Sequence, residues 1–178
     1  MKTCIALIRG INVGGKNTLP MKDLAALLQD IGAERVRTYI QSGNAVFQSA
    51  DKSAPLLAAK LKGRIDKRFG FSPQVLVLGL DAMERAIKQN PFPEAEESPG
   101  SLHLGFLASA PKSADLQKLD TLRTASERFH LTDRVFYLHT PDGFGRSKLP
   151  AGAEKLLGVP VTYRNWKTVC KLREMASE

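Results

Sequence analysis

The chain is short of the residues on which most recognisable catalytic centres are built. Its 178 residues include two cysteines, three histidines and one tryptophan. Cys4 and Cys170 sit in separate apolar contexts, so they are expected as buried thiols in a reducing cytoplasm and not as a disulfide. Two cysteines also make no metal framework. His103, His130 and His139 lack the i,i+4 spacing with a helical glutamate that marks the commonest zinc sites, so no metal is expected. No carboxylate pair stands out, and no motif calls for a cofactor. No run of about 18 apolar residues exists, which excludes a membrane-spanning helix. The apolar stretch Cys4 to Ile8 is too brief for a signal peptide, and a cytoplasmic protein with no membrane partner is expected.

What is present is positive charge, unevenly placed. Lysine and arginine total 26 against 18 acidic residues, a formal charge of +8. Residues 1–90 hold fourteen cations and seven anions, whereas 91–178 hold twelve and eleven. A basic first half favours a polyanionic partner. Lys52, Lys60, Lys62 and Lys67 fall on one expected helix, however, where a solvated face explains them as well.

Hydrophobic periodicity orders the chain. A strand is expected over residues 2–8. A helix over 21–31 places Leu24, Leu27, Leu28 and Ile31 on one stripe, with Thr18 as its candidate cap and Gly32 as its stop. Arg35 to Ile40 and Ala45 to Gln48 read as strands joined by a turn at Gln41-Ser42-Gly43-Asn44. A second helix over 53–69 carries the stripe Leu56, Leu57, Leu61, Ile65 and Phe69, and Gly70 stops it; a strand over 74–78 follows. That is β-α-β-β-α-β, the order of a ferredoxin-like unit. After a helix over 81–89 and a linker at Asn90–Pro93 with an acidic tail, the order repeats. Strands are expected over 102–108, 128–131, 135–139 and 159–163, helices over 113–125 and 148–157, and a final helix from Asn165. The expected class is therefore α+β, with two ferredoxin-like βαββαβ units in tandem, packed to leave a groove. The halves are residues 1–80 and 101–178, joined by a connecting helix and linker over 81–100.

Four polar clusters are candidates to line such a groove. The first is Arg9-Gly-Ile-Asn12-Val-Gly-Gly-Lys16-Asn17, three glycines among two cations and two asparagines, which suits a phosphate or carboxylate. Gly10 to Lys16 fits most of the Walker A pattern, but Asn17 stands where magnesium needs a hydroxyl, and Pro20 marks the helix start several residues later. A loop that merely crosses from strand to helix stays open as the alternative. In the second cluster Arg37, Tyr39 and Gln41 share a strand face before Asn44, and Tyr39 beside Arg37 suits a stacked base. A solvent-facing hairpin is the plainer alternative. The third, Tyr137 to Leu149, sets Arg146 and Lys148 at a helix start with Ser147 as candidate N-cap. The fourth places Arg164, Asn165 and Trp166 at a strand-to-helix junction, where tryptophan more often anchors a core than stacks a base. Catalytic candidates reduce to His139, which ends a strand beside Asp142, and Ser147, which has no base visible in sequence.

The segments Arg9–Asn17 with Met21, Thr38–Asn44, Gly145–Leu149 and Thr162–Thr168 together resemble the family catalogued as domain of unknown function 1697. Tyr163 and Lys167 depart from the alanine and asparagine of many members, while Arg164, Asn165 and Trp166 match. The resemblance spans nearly the whole chain and implies a small bacterial cytosolic α+β protein with two ferredoxin-like halves. It implies no activity. The expected role is binding of a phosphate-bearing small molecule or nucleic acid in a basic groove. An enzyme acting on a small anionic substrate and a homo-oligomerising scaffold are the alternatives.

Overall fold

The computed structural model describes all 178 residues. It is an α+β protein with two four-stranded antiparallel sheets and six helices. Met1–Arg85 together with Lys171–Glu178 makes one compact unit, and Ala86–Cys170 makes the other.

The first unit runs β1 (Lys2–Arg9), α1 (Met21–Asp30), β2 (Glu34–Tyr39), β3 (Asn44–Ser49), α2 (Ala54–Phe69) and β4 (Gln74–Gly79), with sheet order β2-β3-β1-β4. β1 is apolar without alternation because both of its faces are covered. Cys4, Ala6 and Ile8 join Leu24, Leu27 and Leu28 of α1 and Leu57, Leu61 and Ile65 of α2 in one core, and Ile5 and Leu7 on the opposite face are fully buried too. Burial pushes the Cys4 thiol pKa upward. Gly70 ends α2 in the left-handed conformation, and Gly32, just past α1, adopts it as well.

Local chemistry moves some boundaries. Leu56, expected on the buried stripe of α2, is 47% exposed, because the i, i+4, i+8 row Leu57, Leu61, Ile65 already fills the core contact. Thr18 does not cap α1; Pro20 holds that position and no side chain accepts there. Ser53 does cap α2, accepting the Leu56 N–H at 3.3 Å.

The second unit runs β5 (Leu102–Leu107), α4 (Leu116–Leu122), β6 (Arg128–Leu131), β7 (Val135–His139), α5 (Leu149–Leu157) and β8 (Val161–Asn165), with sheet order β6-β7-β5-β8. Its core joins Leu107, Phe136, Leu138 and Val161 of the sheet to Leu119, Leu149, Ala153 and Leu157 of the helices. The helix expected over 113–125 is confined to α4, because the Asp115 carboxylate accepts the Lys118 N–H at 3.0 Å and Arg123 is already extended. The acidic tail after the linker, residues 94–97, falls within a 3-10 turn, Pro93–Glu97. Two further helices, α3 (Leu80–Lys88) and α6 (Trp166–Ser177), contain the division between the units.

One backbone contact in the first unit admits no substitution. Gly43, in the turn between β2 and β3, has φ +80° and accepts the Ile8 N–H at 2.8 Å. A Cβ there would lie 2.8 Å from Ile11 Cδ1 and 2.9 Å from both Ile8 Cβ and its carbonyl oxygen. Left-handed strain and overpacking therefore combine. Gly43→Ala is expected to destabilise the chain by at least about 2 kcal/mol, read as a lowered urea midpoint at unchanged slope.

Candidate functional site

The glycine loop after β1 is a miniature hairpin. Gly14 and Gly15 have φ +59° and +72°, the signature of a type I′ turn, closed by Lys16 N–H donating to Val13 O at 3.1 Å. Asn12 N–H donates to Asn17 O at 3.2 Å behind it. Two of the glycines thus serve to reverse the chain. Asn12 and Asn17 are themselves left-handed, at φ +56° and +51°, a conformation asparagine tolerates better than most residues.

Both asparagine side chains are committed to bracing. Asn12 Nδ2 donates to the carbonyls of Leu19 at 2.9 Å and Gln41 at 2.8 Å, and its Oδ1 accepts the Leu19 N–H at 2.8 Å. Asn17 Nδ2 donates to Gly10 O at 3.0 Å. Asn44, fully buried, donates to Tyr39 O at 3.1 Å and Ser42 Oγ at 2.9 Å. The Asn12–Gln41 bond brings the first and second clusters into one double loop. Arg9 and Lys16 are exposed on it, as are Val13 (69%) and Ile40 (50%). Ile40 has φ +47°, an outlier for a β-branched residue. Arg37 faces elsewhere, donating to the Glu178 carboxylate and to Met175 O, and Tyr39 is half-buried.

The third and fourth clusters meet in the second unit. The Phe144 ring stacks on His103 at 4.0 Å and meets Tyr163 edge-on at 5.2 Å. Gly105 leaves room for that ring, since a Cβ there would lie 2.7 Å from Tyr163. Asn165 Oδ1 accepts the Thr168 N–H at 2.9 Å and so starts α6, while Trp166 is buried at 7% exposure. Arg164 is half-buried and donates to Tyr163 O at 2.9 Å; burial pushes its pKa down to about 10. Arg146 and Lys148 are exposed. Ser147 does not occupy the cap position, which falls to Lys148, but its Oγ accepts the Leu149 N–H at 3.1 Å.

The candidate catalytic residues have structural neighbours. His139 Nδ1 lies 3.0 Å from the Arg128 guanidinium. An arginine only donates, so Nδ1 accepts and the ring proton sits on Nε2. Arg128 also pairs with Glu94 and lies 4.7 Å over the Phe92 ring. Asp142 takes a hydrogen bond from Ser126 at 2.7 Å and none from His139. Ser147 has no histidine or carboxylate as partner. No three His, Cys, Asp or Glu side chains gather to hold a metal.

The family model described as protein of unknown function, DUF1697, matches residues 1–137. The chain belongs to this family. Among solved structures, the conserved bacterial protein SP0830 from Streptococcus pneumoniae is similar to this DUF1697 chain over 98% of both chains, with 27% identity and a TM-score of 0.71. No curated protein matches it.

This DUF1697 member also groups residues that the sequence did not single out. Arg35 and Gln48 lie beside Arg37, Met175 and Glu178 around a cavity of the first unit. Alternation along β2, which sets residues 35 and 37 on one face, was the available signal, and Arg35 itself is left-handed at φ +50°. Phe92, Glu94 and Arg128 around His139 come from segments too distant in sequence for any spacing to join them.

Two outcomes follow from these contacts. Asn12→Ala strands the N–H of fully buried Leu19, so a loss of about 1–3 kcal/mol is expected in urea unfolding, against less than about 0.5 for exposed Lys16→Ala. Burial also lowers the His103 pKa from 6.5 to about 4. The unfolded chain therefore binds this proton first. His103 contributes stability above about pH 6.5 that is lost progressively as pH falls toward 4, up to about 3 kcal/mol. His139, lowered by burial and then by the Arg128 charge against the opposing pull of Glu94, has the same sign. NMR titration is expected to show the His103 ring neutral at pH 5, and His103→Gln to flatten the acid limb of the stability profile.

Proposed function

We propose that this chain binds a phosphate-bearing ligand through the double loop of the first unit, and that the ligand is a nucleic-acid strand more than a free nucleotide. The supporting observation is a braced surface that leaves charge outward. Asn12, Asn17 and Asn44 spend their amides on the protein's own backbone, while Lys16 stays exposed beside the apolar tips Val13 and Ile40. An exposed cationic surface with apolar tips suits a phosphate backbone and a base or sugar face. A mononucleotide is held instead by convergent polar groups in a concavity. The concentration of net charge in residues 1–90 supports the same assignment. Each unit is read as ferredoxin-like, on the strength of its β-α-β-β-α-β order and its 2-3-1-4 strand arrangement. A cytosolic setting goes with the free, buried Cys4.

The bracing also favours a second reading. Four asparagines that the sequence offers as ligand contacts, Asn165 among them, fasten loops or start a helix, as a scaffold would require. The enzyme reading draws no comparable support, since neither His139 nor Ser147 has a catalytic partner. The deciding measurement is fluorescence anisotropy of labelled single-stranded RNA and DNA against salt. The binding reading expects affinity that falls steeply with salt, and a log–log slope about one unit shallower in Lys16→Ala. A salt-independent affinity, or a slope unmoved by Lys16→Ala, would leave the scaffold.

A further inference from the structure

The cavity at the edge of the first sheet is a second place built to meet a ligand, separate from the double loop. It measures about 330 Å³, at the lower end of small-molecule sites. β2 is an edge strand, and its register against β3 shifts between Glu34 and Arg37. Arg35, whose backbone is left-handed, and Arg37 both line the cavity. Val46 and Gln48 of β3 line it from the sheet and Met175 from α6.

The chemistry of the lining is specific. The Arg37 guanidinium is held by Met175 O and pairs with the Glu178 carboxylate. Those two side chains are 41% and 55% exposed, so their ion pair is solvent-screened and exchanges readily with another carboxylate. Arg35 and Gln48 make no side-chain hydrogen bond or ion pair, which leaves a cation and an amide turned to no partner of the chain. Val46 and Met175 supply apolar surface between them. An added β-strand is a poor occupant, because the register shift interrupts the ladder that it would extend.

We propose that this cavity binds a small organic carboxylate with an apolar body, whose carboxylate displaces Glu178 from Arg37 and is shared with Arg35. Glu178 is then an internal competitor that occupies the anion position when no ligand is present. The planar fork of arginine matches two carboxylate oxygens, and the apolar body rests on Val46 and Met175.

The test titrates the full chain with hexanoate, with hexanamide and inorganic phosphate as comparison probes, following the Met175 methyl and the Val46 and Gln48 resonances by NMR. Hexanoate is expected to shift these signals saturably. Glu178→Gln is expected to tighten hexanoate binding by about two- to fivefold, and Arg35→Ala to weaken it by at least about tenfold. Arg35 is exposed and without partners, so that variant keeps its fold; Arg37→Ala serves only as a confirming second variant because Arg37 also ties α6 to β2. Equal binding of hexanamide, unchanged affinity in Arg35→Ala, weaker binding in Glu178→Gln, or no shift with any probe at millimolar concentration would overturn the assignment. A response to phosphate alone would also overturn it, in favour of a simple anion site.

Discussion

The close approach of Gly43 to Ile8 sets the geometry of the loop end of the first unit's sheet. A hydrogen bond of 2.8 Å and the absence of a side chain bring the β2–β3 turn down onto the last residues of β1. From that point Asn44 reaches the carbonyl of Tyr39 and the hydroxyl of Ser42, and Asn12 reaches Gln41. Each of these bonds requires its acceptor to be within about 3 Å, and the glycine contact holds the turn that carries them against β1. The same logic recurs in the second unit with different residues. Gly105 makes room for Tyr163, whose ring meets Phe144 and through it His103.

Much of the fold was legible because its signals are local. Gly32 and Gly70 announce helix ends through left-handed backbone, Ser53 announces a helix start through its hydroxyl, and β1 announces a strand through its unbroken apolar run. Errors arose where a local signal was over-counted. The α2 stripe took in Leu56, one position off the buried row, and Ser113 was read as a helix start although the carboxylate that caps α4 belongs to Asp115.

The site was less legible, because residue type does not reveal a partner. Asparagine beside arginine and glycine suits an anion. It suits equally well a backbone carbonyl seven or 29 residues away, as Asn12 shows with Leu19 and Gln41. The glycine pair was compatible with a phosphate cradle and with a two-residue turn, and the flanking segments, one bridge long, are too short to show strand alternation. Arg128 and its neighbours Phe92, Glu94 and His139 depend on packing that only three dimensions define.

The bracing of the double loop has a thermodynamic corollary. Immobilising a residue's backbone costs roughly 1–2 kcal/mol in conformational entropy, and an unbraced loop would lose that freedom only on meeting a partner. Here the side-chain bonds of Asn12, Asn17 and Asn44 charge that loss to folding, when the whole sheet forms. The outward residues Val13, Lys16 and Ile40 are therefore presented on a backbone whose disorder has already been spent.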